Sequence, residues 1–193
     1  QGAGLDKYSI APNFSAVRNY EAVTKLALSI DQVTKVTREM RRAFHAIRQG
    51  RPGPALVEMQ RDVMSQEVPE NAMHYVASQP MKYAPSRSAV KDAVTQLLAA
   101  ETPVIWAGQG VLYAEATDLL REFAELTQIP VITTMQGKSA FPDDHPLALG
   151  SANRTAPKTV YHWLGASDTF LAIGSGLRRT SFGLDVPDGK FMI

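Results

Sequence analysis

The sequence predicts an α/β fold in which a doubly wound parallel sheet, expected to be incomplete at its end, follows a partial α/β domain. Two observations predict it. Short apolar runs without alternation recur in the second half of the chain, as in strands covered on both faces, and segments with helical periodicity separate them. Strands that alternate with helices imply parallel pairing through right-handed crossovers.

The composition is that of a globular protein, and it argues against several classes of function. The chain has 193 residues, 45% of them hydrophobic, with 20 Lys and Arg against 19 Asp and Glu. The net charge of +1 gives no broad attraction to nucleic acid or to an anionic membrane, and no apolar run approaches the roughly 20 residues of a membrane helix. The lack of cysteine excludes thiolate sites and agrees with a cytoplasmic protein.

Residues 1–65 are expected to form the last part of a first domain. Residues 20–30 are compatible with a strand or a helix. Residues 31–49 predict a helix with Asp31 as its N-cap, an apolar stripe on one side and a basic face that we interpret as solvated. A Pro-Gly-Pro turn follows this helix, and the run ALVEM then predicts a short buried strand.

Residues 66–85 predict a linker, because three prolines interrupt the segment and no hydrophobic period is sustained. The second domain, 86–193, begins with a helix capped by Ser86 or Ser88, and its chain stops inside a fourth strand. Its strands are predicted at VIWAG, IPVITT, TFLAIGSG and KFMI, with a loop over 136–150 and a third helix at PKTVYHWLGAS. The apolar faces of its first two helices comprise Ala89, Val90, Ala93, Val94, Leu97 and Leu98, and Ala116, Leu119, Leu120, Phe123 and Leu126.

Three of these strands end in turns rich in glycine, hydroxyl and amide residues, and their carboxyl ends are expected to share one edge of the sheet. Ligands of open parallel sheets bind outside this edge. Glycine allows a backbone to approach a pyrophosphate, and hydroxyl and amide side chains add hydrogen bonds. The residues predicted to bind a cofactor are Gly108, Gln109, Gly110, Thr133, Thr134, Met135, Gln136, Gly137, Gly174, Ser175 and Arg178.

The first of these turns departs from the dinucleotide-binding fingerprint, which places a third glycine three residues after the second. Tyr113 stands at that position, so glycines that only allow a tight turn are the alternative interpretation of 108–110. The four histidines have no metal-ligand spacing, and we interpret the acidic run before His145 as part of a hydrogen-bonded loop. No metal site and no catalytic residue is predicted within the chain.

Several segments resemble thiamine-diphosphate enzymes of the acetolactate synthase type. GRPGPALVEMQRDV, at 50–63, resembles the end of their pyrimidine-binding domain. TPVIWAGQGV and AELTQIPVITTMQGKSAFPDDHP resemble their central domain, and SDTFLAIGSGL is similar to a later strand of it. The resemblance implies the end of a pyrimidine-binding domain at 1–65, a linker at 66–85 and an incomplete, Rossmann-like central domain at 86–193.

The resemblance also implies a function for the intact protein, which would decarboxylate or ligate a small 2-oxo acid as a homodimer or homotetramer. The family's thiamine-activating glutamate and its Gly-Asp-Gly…Asn motif are not found here. The sites for thiamine diphosphate and Mg²⁺ are therefore expected outside this chain, which would be inactive alone.

The central domain of such enzymes binds FAD in some members, ADP in others and neither in a third group, so FAD and ADP are the candidate cofactors. Gly176 stands where synthases often carry arginine, and Arg178 or Arg179 is a candidate substitute. The alternative function is a stand-alone nucleotide-binding or interaction module, which rests on the three glycine-bearing strand ends.

Overall fold

The computed structural model describes residues 15–77, 79, 81, 83–179 and 181–193. The chain divides between Tyr83 and Ala84 into two compact units, and each contains a parallel sheet with helices. The α/β class predicted from the sequence is thereby confirmed. Among the described residues, no helix combines the length and the apolar character needed to cross a bilayer.

The first unit is built on a two-stranded parallel sheet. Its strands are β1 (Leu26–Ile30) and β2 (Ala55–Met59), with Leu26 opposite Ala55. The segment that the sequence left open between strand and helix is thus partly a strand. Among the described residues, the α-helices of this unit are α1 (Ala16–Tyr20), α2 (Val36–Arg48) and α3 (Arg61–Met64). The buried centre consists of Leu28, Ile30 and Val63.

Helix α2 begins later than the sequence predicts. A 3-10 turn at Val33–Lys35 precedes it, so Asp31 lies outside the helix and does not cap it. The Asp31 carboxylate instead accepts a hydrogen bond from the Lys35 ammonium, with Oδ1 and Nζ 2.9 Å apart. The N-cap position belongs to Lys35, which makes no side-chain capping bond. The predicted cap at Asp31 is therefore wrong.

The basic face of α2 is partly neutralised by a buried acid that the hydrophobic pattern did not indicate. Glu39 is 5% exposed, and its carboxylate accepts hydrogen bonds from Arg42 Nη1 at 2.7 Å and from Arg38 Nε at 2.9 Å. Burial alone would raise the pKa of Glu39, but these two guanidinium groups hold that pKa below its ordinary value. Arg38 and Arg42 of this helix are thus paired with a carboxylate of the same helix.

The second unit contains a five-stranded, all-parallel sheet with the strand order β5-β4-β3-β6-β7. The strands are β3 (Pro103–Ala107), β4 (Val131–Thr134), β5 (Ala148–Ala152), β6 (Thr169–Ile173) and β7 (Phe191–Met192). The chain runs outward from β3 to β5 and then returns to the other side of β3. The order therefore reverses between β3 and β6, which is where open parallel sheets bind their ligands.

Helices cover both faces of this sheet, which is the doubly wound arrangement predicted from the sequence. They are α4 (Arg87–Ala99), α5 (Gly110–Tyr113), α6 (Thr117–Thr127) and α7 (Lys158–Ala166). On one face, α4, α5 and α6 bury side chains against Ile105 and Ala107. On the other face, α7 buries Val160 and Leu164 against Val104, Trp106 and Phe170.

Strand β5 lies where the sequence predicts part of a loop. The segment ALGSA has no β-branched residue and ends the crossover from β4 without an intervening helix. Pairing with β4 makes it a strand, despite a register shift beside Val131 and a φ of +113° at Gly150. The prediction of a continuous loop over 136–150 is therefore wrong at its carboxyl end. Tertiary pairing, which local sequence does not encode, decides this element.

The helices of the second unit bury a narrower stripe than their periodicity predicts. Ser86 caps α4, accepting the N–H of Ala89 at 3.2 Å, and Leu97 is fully buried. The adjacent Leu98 is 64% exposed. In α6, Leu120 is buried, but Leu119 and Leu126 are 67% and 82% exposed. Five of the eleven residues assigned to the apolar faces of these helices are therefore exposed, namely Ala89, Val90, Leu98, Leu119 and Leu126.

Candidate functional site

The carboxyl edge of the second sheet brings the three predicted strand ends into direct backbone contact. A Cβ atom added to Gly108 would lie 2.4 Å from the Gly174 carbonyl oxygen, and one added to Gly110 would lie 2.6 Å from Gly174 Cα. One added to Gly137 would lie 2.7 Å from the Ala107 carbonyl oxygen. Real Cβ contacts are longer than these distances, so only glycine fits at each of the three positions without movement.

The backbone N–H groups of these glycines already have partners within the protein. Gly108 donates to the Ile173 carbonyl oxygen at 2.8 Å, and Gly110 donates to that of Gly174 at 2.9 Å. Gly137 donates to both the carbonyl and the hydroxyl oxygen of Thr134, each at 3.0 Å. These are the donors that a glycine-rich phosphate cradle would turn toward its ligand. Here these N–H groups instead form hydrogen bonds between neighbouring strand ends and within the turns that follow them.

The predicted cofactor-binding residues fall into two groups. Members of the first hold the edge together: besides the glycines, the buried Thr133 hydroxyl lies 2.8 Å from Ser151 Oγ, and Ser175 Oγ accepts the N–H of Leu177 at 3.3 Å. Members of the second group have side chains exposed at the edge, where a ligand could reach them. They are Gln109, Met135, Gln136 and Arg178.

The two arginines after β6 differ in their surroundings. Arg179 Nε lies 3.7 Å from Asp185 Oδ2, in an ion pair that the sequence did not suggest. Arg178 is exposed, and no ion pair joins it to another residue in the described part of the chain. Of the pair, Arg178 is therefore the cation more readily available to an anionic ligand.

The sequence did not indicate that β5 contributes a further end to the same edge. The chain after β6 reaches that end, where Arg154 N–H donates to the Phe182 carbonyl at 3.2 Å and Leu184 N–H donates to that of Ala152 at 3.3 Å. A cavity of about 430 Å³ lies beside β5, and none of the eleven predicted residues lines it. Its polar lining comprises Lys138, Asp143, Ser151, Asn153 and Thr159.

The crossover that leads to β5 contains His145, which makes the hydrogen bonds of a structured loop. Its Nε2 lies 3.1 Å from Glu125 Oε1 of α6, and its Nδ1 accepts the N–H of Leu147 at 3.1 Å. Lys138 and Asp143 form a loose pair nearby, with Nζ and Oδ2 4.0 Å apart. Within the described ranges, no three His, Asp or Glu side chains are grouped so that they could hold a metal ion.

A comparison with known protein families identifies the family to which the second unit is similar. Residues 90–192 match the family model described as the central domain of thiamine pyrophosphate enzymes. The chain belongs to the thiamine pyrophosphate enzymes. This match includes every strand of the five-stranded sheet and all four of its helices except the first turn of α4. The resemblance drawn from the sequence motifs is thus confirmed.

Two curated relatives show how much of such a protein this chain represents. It is 42% identical over 154 residues to a glyoxylate carboligase of Escherichia coli O157:H7, a match that covers 79% of the chain and 26% of the relative. It is 35% identical over 156 residues to an acetolactate synthase of Mycobacterium bovis, covering 79% of the chain and 25% of the relative. The chain thus spans about a quarter of the length of these relatives.

Solved structures of other members share the fold. A putative thiamin diphosphate-dependent enzyme from Mycobacterium smegmatis superposes with a TM-score of 0.76, covering 100% of this chain and 37% of that one. Benzoylformate decarboxylase from Polynucleobacter necessarius gives 0.70, covering 93% and 35%. Both are 20% identical to this chain, so the likeness concerns the fold alone.

Proposed function

We propose that this chain is part of a thiamine-diphosphate-dependent enzyme that ligates or decarboxylates 2-oxo acids. The observation that carries the proposal is the 42% identity to a glyoxylate carboligase over 79% of the chain. Glyoxylate is itself a 2-oxo acid, and thiamine diphosphate supplies an electron sink for carbanion chemistry at such carbonyl groups. We place the sites for thiamine diphosphate and Mg²⁺ in the rest of the protein, so this chain has no activity alone.

The second unit has one of two roles in this proposal: it holds FAD or ADP across its carboxyl edge, or it is purely structural. The edge fits a nucleotide only in part. The N–H groups of Gly108, Gly110 and Gly137 are already bonded, so they are not free to receive a phosphate. An anionic group would instead meet the exposed Arg178 and the side-chain amides of Gln109 and Gln136.

Turnover by the intact protein tests the enzymatic part of the proposal. The protein that contains this chain is supplied with thiamine diphosphate, Mg²⁺ and glyoxylate, and the release of carbon dioxide is followed together with the ligated product. We expect turnover that disappears when thiamine diphosphate is withheld. If the loaded protein leaves glyoxylate and a panel of other 2-oxo acids unchanged, the proposal is refuted.

A nucleotide titration of the same intact protein tests the role of the carboxyl edge. FAD and ADP are titrated separately into wild type, Arg178→Ala and the matched control Arg179→Ala, whose arginine is paired with Asp185. If the edge holds a nucleotide, we expect the dissociation constant to rise by roughly tenfold for Arg178→Ala, which corresponds to one lost charge-assisted hydrogen bond, and to change little for the control. Equal affinities in all three proteins would show that Arg178 does not contact the nucleotide. If wild type binds neither FAD nor ADP, the structural role is the one that remains.

The assembly and the compartment are also part of the proposal. We expect the intact protein to be a homodimer or a homotetramer, which light scattering of the purified protein would measure. The cytoplasm is the proposed compartment, a choice that the lack of cysteine supports.

A further inference from the structure

The crossover between β4 and β5 carries two of the exposed residues of the carboxyl edge, Met135 and Gln136, and contains no helix. Its beginning is held by the turn in which Thr134 accepts the N–H of Gly137. Ala140 N–H then donates to the Gly137 carbonyl oxygen at 2.8 Å. The contacts made by the rest of the crossover therefore determine how rigidly the Met135 and Gln136 side chains are positioned.

His145 adds polar and ring contacts to a crossover whose Ala140 and Phe141 are buried in the core of the unit. Its ring meets the ring of the fully buried Phe141 edge to face, with centroids 4.9 Å apart. Its carbonyl oxygen accepts the N–H of Ala148 at 2.8 Å, where β5 begins. The side chain is 16% exposed, and it bridges the Glu125 carboxylate of α6 to the backbone of Leu147.

The hydrogen bonds of the ring determine its tautomer. Nδ1 accepts the Leu147 N–H and therefore carries no proton. In the neutral ring the proton is then on Nε2, from which it is donated to Glu125 Oε1. The two ring nitrogens thus have different roles, because Nδ1 fixes the chain that enters β5 and Nε2 anchors the ring to α6.

We propose that His145 is a positioning residue for the nucleotide edge, a role that rests on the function proposed above. It acts in two directions. Through Phe141 and the Ala140 to Gly137 hydrogen bond it fixes the turn that presents Met135 and Gln136. Through Leu147 and Ala148 it fixes the start of β5, and with it the strand whose residues 148–151 line the cavity. The Nδ1 contact is the more important of the two because it holds the backbone itself.

Two substitutions separate the roles of the two ring nitrogens. His145→Asn places an amide oxygen close to the position of Nδ1, so it keeps an acceptor for Leu147 but loses the contact with Glu125. His145→Gln keeps a donor that reaches toward Glu125 and lacks an acceptor near Leu147. The matched control is His162→Asn, since His162 is an exposed residue of α7.

The first measurement needs no nucleotide. Nitrogen-15 spectra of this chain, labelled at its four histidines, report the tautomer of His145, and amide exchange reports the protection of Leu147. We expect the Nε2–H form in wild type and shifted Met135 and Gln136 amides in both variants, because both lose the ring that contacts Phe141. Leu147 should keep its protection in the Asn variant and lose it in the Gln variant. A proton on Nδ1, or amides unmoved in the Gln variant, would overturn the proposal.

The second measurement compares nucleotide affinity in the intact protein. We expect the dissociation constant for FAD or ADP to rise by up to roughly tenfold in the Gln variant, which loses both the ring and the acceptor for Leu147, and to rise less in the Asn variant, which loses the ring alone. In the control it should stay near wild type. Equal weakening in both His145 variants would overturn the role of Nδ1. If wild type binds neither nucleotide, the cofactor proposal fails, and the amide measurement alone decides whether His145 positions the edge.

Discussion

Alanine substitutions at glycines of the second unit separate two constraints, backbone conformation and available space. Gly174 carries both: its φ is +63°, and an added Cβ would lie 2.6 Å from the Val111 backbone nitrogen. Gly108 is constrained by space alone, with an added Cβ 2.4 Å from the Gly174 carbonyl oxygen. Gly189 is constrained by conformation alone, with a φ of +80° and nothing within 4 Å of an added Cβ. Gly165 has neither constraint.

The structure sets a magnitude for each substitution. A left-handed conformation costs an L-residue about 1–2 kcal/mol, and overpacking costs about 1–3 kcal/mol. Gly189→Ala should therefore lower the free energy of unfolding by about 1–2 kcal/mol and Gly108→Ala by about 1–3 kcal/mol. Gly174→Ala should lower the free energy of unfolding by the sum of the two costs, about 2–5 kcal/mol. Gly165→Ala should leave it unchanged or raise it by up to about 1 kcal/mol, because Gly165 lies in α7 and alanine favours the helix.

Urea unfolding followed by tryptophan fluorescence measures these differences in the relevant unit. The chain has two tryptophans, Trp106 and Trp163, and both lie in the second unit. The midpoint and the slope of each transition give the free energy of unfolding, and a changed midpoint with an unchanged slope identifies a change in stability. The reasoning is refuted if Gly174→Ala costs no more than Gly189→Ala, or if Gly108→Ala is neutral, because the strand ends would then not be in contact.

Three further substitutions test the amino edge of the sheet and the orientation of α6. The Asp168 carboxylate is partly desolvated, which opposes ionisation, but backbone N–H groups of Glu101 and Thr102 donate to it and its pKa is lowered on balance. A lowered pKa in the folded state stabilises the fold above the ordinary value and loses this effect as the pH falls. The difference in unfolding free energy between wild type and Asp168→Asn should thus be largest at neutral pH and shrink below about pH 4, and a constant difference would contradict it. In α6, Leu120→Ala should cost about 2–5 kcal/mol and Leu126→Ala less than about 0.5 kcal/mol in the same urea assay, and similar losses would mean that the helix is rotated from the position described.

The alternation of apolar runs and helical stripes was sufficient to predict the doubly wound sheet, because each buried strand and each helix is encoded over its own length. Strand β5 was not predicted, since its residues are small and its partner is β4, which lies beyond the crossover. The cap at Asp31 failed for a related reason. A 3-10 turn can separate a polar residue from the helix that it is expected to cap, and local sequence does not distinguish the two arrangements.

The buried faces of the helices were predicted too broadly. Periodicity selects Leu119, Leu120 and Leu126 alike, but a helix that packs on one sheet buries only the part of the stripe that touches it. Which part is touched depends on the position of the neighbouring helices, and that is a tertiary property. The buried Glu39 was missed because hydrophobic patterning does not register an acid whose burial is compensated by two arginines of the same helix.

The glycines of the carboxyl edge show why a nucleotide site cannot be assigned from such residues alone. A phosphate cradle and a tight backbone contact both exclude a Cβ atom, so both select glycine. They differ in what occupies the space and in what the N–H groups bind. At Gly108 and Gly110 the occupant is the backbone of Gly174, and the N–H groups donate to carbonyl oxygens of β6 and its turn.

These glycines are therefore required even without a ligand, and Gly108→Ala should destabilise the chain when no nucleotide is present. Arg178→Ala should leave that stability unchanged, because nothing in the described fold depends on its side chain. A loss of nucleotide affinity without a loss of stability would therefore mark Arg178 as a ligand contact, which substitution of the glycines cannot do.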